Sequence, residues 1–131
     1  MKIELIDLKQ KYKDEKKELI KIFNKVISKG SLVLTEEVNN FESKICEYTN
    51  NKYCLGLNSG TDALLMSLWA LGIKKGDEII TSPISFIATA GAIFHVGAIP
   101  VFVDVKDDLN IDENLIESAI TKKTRAIMPV H

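Results

Sequence analysis

Between Glu15 and Ile27 the apolar residues Leu19, Ile22, Phe23 and Val26 recur at helical spacing, while the run KDEKKE supplies charge for the opposite face. This pattern predicts an amphipathic helix lying on something. Gly30, within SKGSLVLT, breaks it. A second helix is expected after Thr35, whose hydroxyl would cap it, with Glu36 and Glu37 at the positive end of its dipole. Val38, Phe41, Ile45 and Tyr48 are the expected buried face.

After the turn-like TNNK the period changes. The β-like runs YCLGL, EIITS, IPVFVDV and RAIMPV alternate with the helical runs TDALLMSLWAL, SFIATAGAIFHVG and DENLIESAI. Such alternation predicts an α/β fold with parallel strands joined by crossover helices. IPVFVDV is apolar on both faces, as expected where helices cover both sides of a sheet. Gly72, KKGD and Gly97 punctuate the boundaries. The chain therefore reads as an amino-terminal helical segment, 1–50, followed from 51 to 131 by the first part of an α/β domain. The alternation is still running at His131, so that domain is expected to be truncated at its carboxyl end; open α/β sheets collect their ligand groups at the carboxyl ends of the strands, and the sequence stops just after such a strand candidate.

Composition narrows the function classes. An apolar fraction of 46% over 131 residues suffices for a core, and a net charge of −1 without a basic stripe argues against nucleic acid as a partner. Cys46 and Cys54 form no disulfide framework, and no His or Cys cluster suggests a metal. The charged start lacks the apolar core of a signal peptide, and no run of about eighteen uncharged apolar residues suggests a membrane span. A soluble protein of the reduced cytoplasm is the expectation.

The chemistry concentrates in NSGTDALLMSLWALG. YCLGL delivers the chain to Asn58 at a strand's carboxyl end, and a helix begins at once. The first amides of a helix lack internal partners and its dipole favours negative charge there. Gly60 would let a ligand approach, and Ser59 and Thr61 add hydroxyls, so a phosphate is the natural guest. A plain helix capped by Ser59 or Asp62 explains the same residues and stands beside that reading. Neither Gly-x-Gly-x-x-Gly nor the Walker pattern is present, which places a generic nucleotide-binding domain last.

The residues LGLNSGTDALLMSLWALGIKKGDEIITSPISFIATAGAIFHVGAIPVFVDV and NIDENLIESAITKKTRAIMPVH, with IDLKQKY and VNNFESKICEYT upstream, resemble the amino-terminal part of the DegT/DnrJ/EryC1/StrS family. These are sugar aminotransferases of pyridoxal-phosphate fold-type I. The resemblance implies the three-layer fold of those enzymes, with a mostly parallel sheet preceded by amino-terminal helices. It further implies that Gly60, Thr61 and Asp62 bind the cofactor phosphate, which agrees with the helix-terminus argument and favours the phosphate over the plain cap. Phe86, in SPISFIATA, would stack on the pyridine ring; without the resemblance it reads as core. Asp104 is expected to shape a turn and His95 to be structural. His131, in PVH, matches a strand that approaches the family's active site, and a plain terminal histidine explains it equally. Thr35-Glu36-Glu37 departs from the Gly-Pro-Glu of many members.

In the family an amino acid, usually glutamate, gives its nitrogen to pyridoxal phosphate and a nucleotide-linked keto sugar collects it. The lysine that carries the cofactor and the aspartate that pairs with its ring nitrogen lie beyond the matching region. No catalytic residue is thus expected within 1–131, and this stretch alone is expected to be inactive. A homodimer is implied, because the family's active sites lie between subunits. A non-catalytic remnant or subunit-interaction fragment is the competing expectation.

Overall fold

The computed structural model describes residues 5–30 and 32–131, which divide into two compact units, Met1–Gly56 and Leu57–His131. Among the described residues, no helix is long and apolar enough to cross a membrane.

The amino-terminal unit holds two helices, α1 (Leu8–Ser28) and α2 (Glu36–Thr49). α1 starts earlier than the apolar spacing indicates because Asp7 is its N-cap, its side chain accepting from the Gln10 amide at 2.9 Å. The predicted apolar face is present along α1, yet Leu19, Ile22 and Phe23 are exposed. At the bend, the Lys29 ammonium lies 3.2 Å from both Glu36 and Glu37. The Glu37 carboxyl is held below its usual value by its own backbone amide and then by Lys29.

Two expectations for α2 are corrected. Thr35 occupies the N-cap position, but its hydroxyl makes no capping bond. It is buried instead, behind Leu34, which adopts a left-handed φ of +52°. Nor are Val38, Phe41, Ile45 and Tyr48 a buried face: Ile45 is half-buried, and Tyr48 is 89% exposed. Within this unit the chain that runs back along α2 is a single extended segment, tied by the Gly56 amide to Glu42 Oε1 at 2.7 Å. One extended segment is too narrow to cover a helix face about 10 Å wide.

The expected strand in that segment is also absent. Tyr53–Leu57 is irregular, and among the described residues no strand pairs with it. A strand exists only through its ladder partner, whatever its side-chain pattern.

The second unit bears out the α/β expectation. Its elements are α3 (Gly60–Ala70), β1 (Glu78–Thr81), α4 (Ala88–His95), β2 (Ile99–Phe102), α5 (Glu113–Ala119) and β3 (Thr124–Met128). The strands form one parallel sheet in the order β2-β1-β3. Side chains alternate across β1. Ile79 faces a core with Leu68, Ile73, Ala92 and Ile93 from α3, α4 and their ends, while Ile80 faces Val103, Ile111 and Ile116 beside α5. Helices thus lie on both faces, giving three layers. Coverage is incomplete along β2, where Ile99 and Phe102 stay exposed because β2 is an edge strand.

One terminating device is used twice. After α3, Gly72 turns at φ +72°, and the Ile73 amide bonds to the Leu68 carbonyl at 3.0 Å; after α4, Gly97 turns at +80°, and Ala98 bonds to Ile93 at 3.1 Å. In both cases the residue after the glycine is buried with the helix residue it bonds to, so the cap also sends the chain back under the helix. A Cβ on Gly97 would meet Lys75 Cα at 3.3 Å. Gly97→Ala is therefore expected to lower stability by about 1–2 kcal/mol or more, from the left-handed backbone alone. Gly91→Ala, inside α4 with nothing near its Cβ, should raise it by about 0.5–1 kcal/mol. Urea unfolding followed at Trp69, the single tryptophan, reads both, and equal midpoints for the two variants would refute this account.

Candidate functional site

The strand order reverses beside β1. From β1 the chain crosses by α4 to β2 on one side, then by α5 to β3 on the other, and such a reversal opens a crevice at the strands' carboxyl ends. Thr81, fully buried at the end of β1, holds that edge together by donating from Oγ1 to the Met128 carbonyl at 2.8 Å. The short connection 71–77 joins the carboxyl end of α3 to the amino end of β1. It is tightened where Asp77 accepts from the Lys74 amide at 3.0 Å. Because α3 packs back along the sheet through Leu64, Leu65 and Leu68, its amino terminus comes to the carboxyl edge. The segment 82–87, which carries Phe86, leaves β1 at that same edge.

Ser59 is the N-cap of α3. Its Oγ accepts from the Asp62 amide at 3.1 Å and donates to Asp62 Oδ2 at 2.9 Å, while its carbonyl accepts from the Ala63 amide. The plain cap foreseen for these residues is thus formed. It does not exhaust the helix end, because among the described residues the Gly60 and Thr61 amides and Thr61 Oγ1 have no hydrogen-bond partner. Gly60 is not required by φ or by packing, since no atom lies within 4 Å of a Cβ built there. The space above it is open to a ligand. Asp62 directs its carboxylate to the Ser59 hydroxyl, and its amide is occupied.

Phe86 belongs to neither core cluster of this unit and is 76% exposed. Asp104 accepts from the Val105 amide through Oδ1, and from the Asp112 amide through its carbonyl, both at 2.8 Å, in the loop closed by the Val105–Ile111 bridge. That is a turn-shaping role, as expected. His95 ends α4 and is exposed, as is His131. No group of His, Cys, Asp and Glu among the described residues is arranged to hold a metal. The sequence reading did not single out Ser85 and Thr89, whose hydroxyls meet at 2.7 Å on either side of Phe86. Their four-residue spacing at a helix start was the available signal.

Residues 13–131 match the DegT/DnrJ/EryC1/StrS aminotransferase family. The chain belongs to that family. A pleiotropic regulatory protein of Geobacillus stearothermophilus is 39% identical over 100% of this chain and 36% of its own length. A dTDP-3-amino-3,4,6-trideoxy-alpha-D-glucose transaminase of Micromonospora megalomicea is 39% identical over 92% of this chain and 32% of its own. Among solved structures, DesV of S. venezuelae superposes with a TM-score of 0.94 at 37% identity, covering 98% of this chain and 35% of that one. NtdA of Bacillus subtilis, with bound cofactor PMP, gives 0.88 at 35% identity over 90% and 27%. The chain spans about a third of the length of the curated relatives it matches.

Ser59→Ala removes both bonds to Asp62. It should cost about 1 kcal/mol, against a few tenths for Ser59→Gly. Trp69, on the same helix, reports the urea midpoint, and an unchanged midpoint for Ser59→Ala would show that the cap contributes nothing.

Proposed function

We propose that this chain is the phosphate-grasping and ring-stacking portion of a pyridoxal-phosphate-dependent aminotransferase that moves an amino group from an amino acid, glutamate by preference, to a nucleotide-linked keto sugar. The observation that carries the reading is the pair of free amides at Gly60 and Thr61, on the same sheet edge as an exposed aromatic ring at Phe86. Family membership and a relative named as a dTDP-amino-sugar transaminase support the substrate class, and NtdA with bound PMP supports the cofactor.

The residues present fit the cofactor. Its phosphate is a dianion with acceptor oxygens, which the two amides, the Thr61 hydroxyl and the positive end of α3 would receive. Asp62 serves by holding Ser59, and so keeps its negative charge turned toward the cap. Phe86 offers a flat face that excludes water from one side of the pyridine ring and limits its tilt. Bound pyridoxal phosphate supplies the electron sink for transamination, and the chain's own part is to hold and orient it.

The test uses 4-deoxypyridoxine 5′-phosphate, which lacks the aldehyde and cannot condense with the chain's lysines. Titration followed by NMR should move the Gly60 and Thr61 amides. Replacing both Thr61 and Phe86 by Ala should weaken binding by an order of magnitude or more, at about 1 kcal/mol for each lost contact. Equal affinity in the double variant would defeat the assignment of those residues.

A homodimer belongs to the same reading. Phe23, Phe41 and Tyr48 in the amino-terminal unit are exposed aromatics, available to a second copy of the chain. Sedimentation should show mass rising with concentration. A monomer throughout would remove the dimer.

A further inference from the structure

In SFIAT, a serine and a threonine four residues apart bracket the aromatic residue. Ser85 lies in the bend before α4 and Thr89 in the first turn of that helix. The structure adds two bonds that end on Thr89. Its Oγ1 lies 2.7 Å from Ser85 Oγ, and its amide donates to the Phe86 carbonyl at 3.1 Å. Thr89 is itself 8% exposed, packed in the first turn of α4, so it is the fixed end of the pair and the exposed Ser85 is the end it holds.

The pair fills a gap in the local architecture. Ile87, at the N-cap of α4, has no side chain able to cap and makes no capping bond. Upstream, the buried Ser82 hydroxyl accepts from the Ile84 amide at 3.1 Å and so fixes the exit from β1. Between these anchors Phe86 stands 76% exposed, and no core cluster holds its ring. An exposed ring that must meet a ligand in one orientation loses affinity to its own disorder unless the backbone beneath it is fixed. The 85–89 loop closed by Thr89 provides that fixture.

We propose that Thr89, through the Ser85–Thr89 hydroxyl pair, is a positioning residue that presents Phe86 to the ring of the bound cofactor. The inference rests on the ring-stacking reading of Phe86 given above. Thr89 acts through Phe86, without touching the ligand itself. The phosphate subsite at Gly60 and Thr61 is served by α3 and does not depend on the pair.

The experiment compares the wild-type chain with Thr89→Val, Thr89→Ser and Ser85→Ala, each first checked for folding by the Trp69 urea midpoint. Two readouts are taken: relaxation of a fluorine label on Phe86, and NMR affinities for 4-deoxypyridoxine 5′-phosphate and for inorganic phosphate. Thr89→Val should loosen the Phe86 ring and weaken 4-deoxypyridoxine phosphate on the order of fivefold, the value of one net hydrogen bond, while phosphate binding stays unchanged. Thr89→Ser should restore both. Ser85→Ala, at an exposed position that does not endanger the core, should reproduce Thr89→Val, and the double variant should be no worse than either single one. Unchanged ring relaxation in both Thr89→Val and Ser85→Ala overturns the proposal, as does equal weakening of the two ligands. If the wild-type chain binds neither ligand, the cofactor reading is what fails, and the relaxation comparison alone still decides whether the pair positions Phe86.

Discussion

Four consecutive side chains, from Ile79 to Ser82, are shielded from solvent at the centre of the sheet, and the second unit is organised around that constraint. A parallel strand between two others must be apolar on both faces, so Ile79 demands α3 and α4 on one side and Ile80 demands α5 on the other. Where the strand ends, apolar burial gives way to buried hydroxyls that must find partners. Thr81 finds the Met128 carbonyl and Ser82 finds Ile84. Those two bonds fix the carboxyl edge, and every candidate site residue is placed relative to it.

The helices and the three strands of the second unit were legible in the sequence because each one's pattern finds its partners within the unit: β1 pairs with β2 and β3, and the helices cover both faces. Gly72 and Gly97 marked ends that the structure reproduces with the same cap. The segment Tyr53–Leu57 shows the limit of such reading. Its pattern is β-like, but a strand is a relation between two segments, and pattern reports only one of them. The face of α2 failed for a related reason. Periodicity identifies Val38, Phe41 and Ile45 as a stripe without naming what covers it, and within this unit only a narrow extended segment runs alongside. Thr35 was legible as a boundary but not as a buried side chain, because the left-handed turn at Leu34 that tucks it in has no glycine to announce it.

The candidate site was legible in its polar half. Asn-Ser-Gly-Thr-Asp before an apolar run signals a helix start whatever its use, and the cap and the free amides are both found there. Phe86 was ambiguous, since an aromatic between apolar residues reads as core until its exposure is known. The hydroxyl pair beneath it went unseen because serine and threonine are common near helix starts, and only the positions of their oxygens show that one holds the other.

The division of hydrogen bonds at the start of α3 constrains what kind of ligand can sit there. Ser59 satisfies the Asp62 amide and, with its carbonyl, the Ala63 amide, while in return it takes the Asp62 carboxylate. Two adjacent amides and one hydroxyl remain, all within two residues, facing open space above a residue without a side chain. A phosphate monoester presents three free oxygens in a tetrahedral array, one for each of those donors. The aspartate in the first turn does not contradict an anionic guest. Its carboxylate keeps its charge while bonded to the Ser59 hydroxyl, and the dipole and the unpaired amides act against that charge.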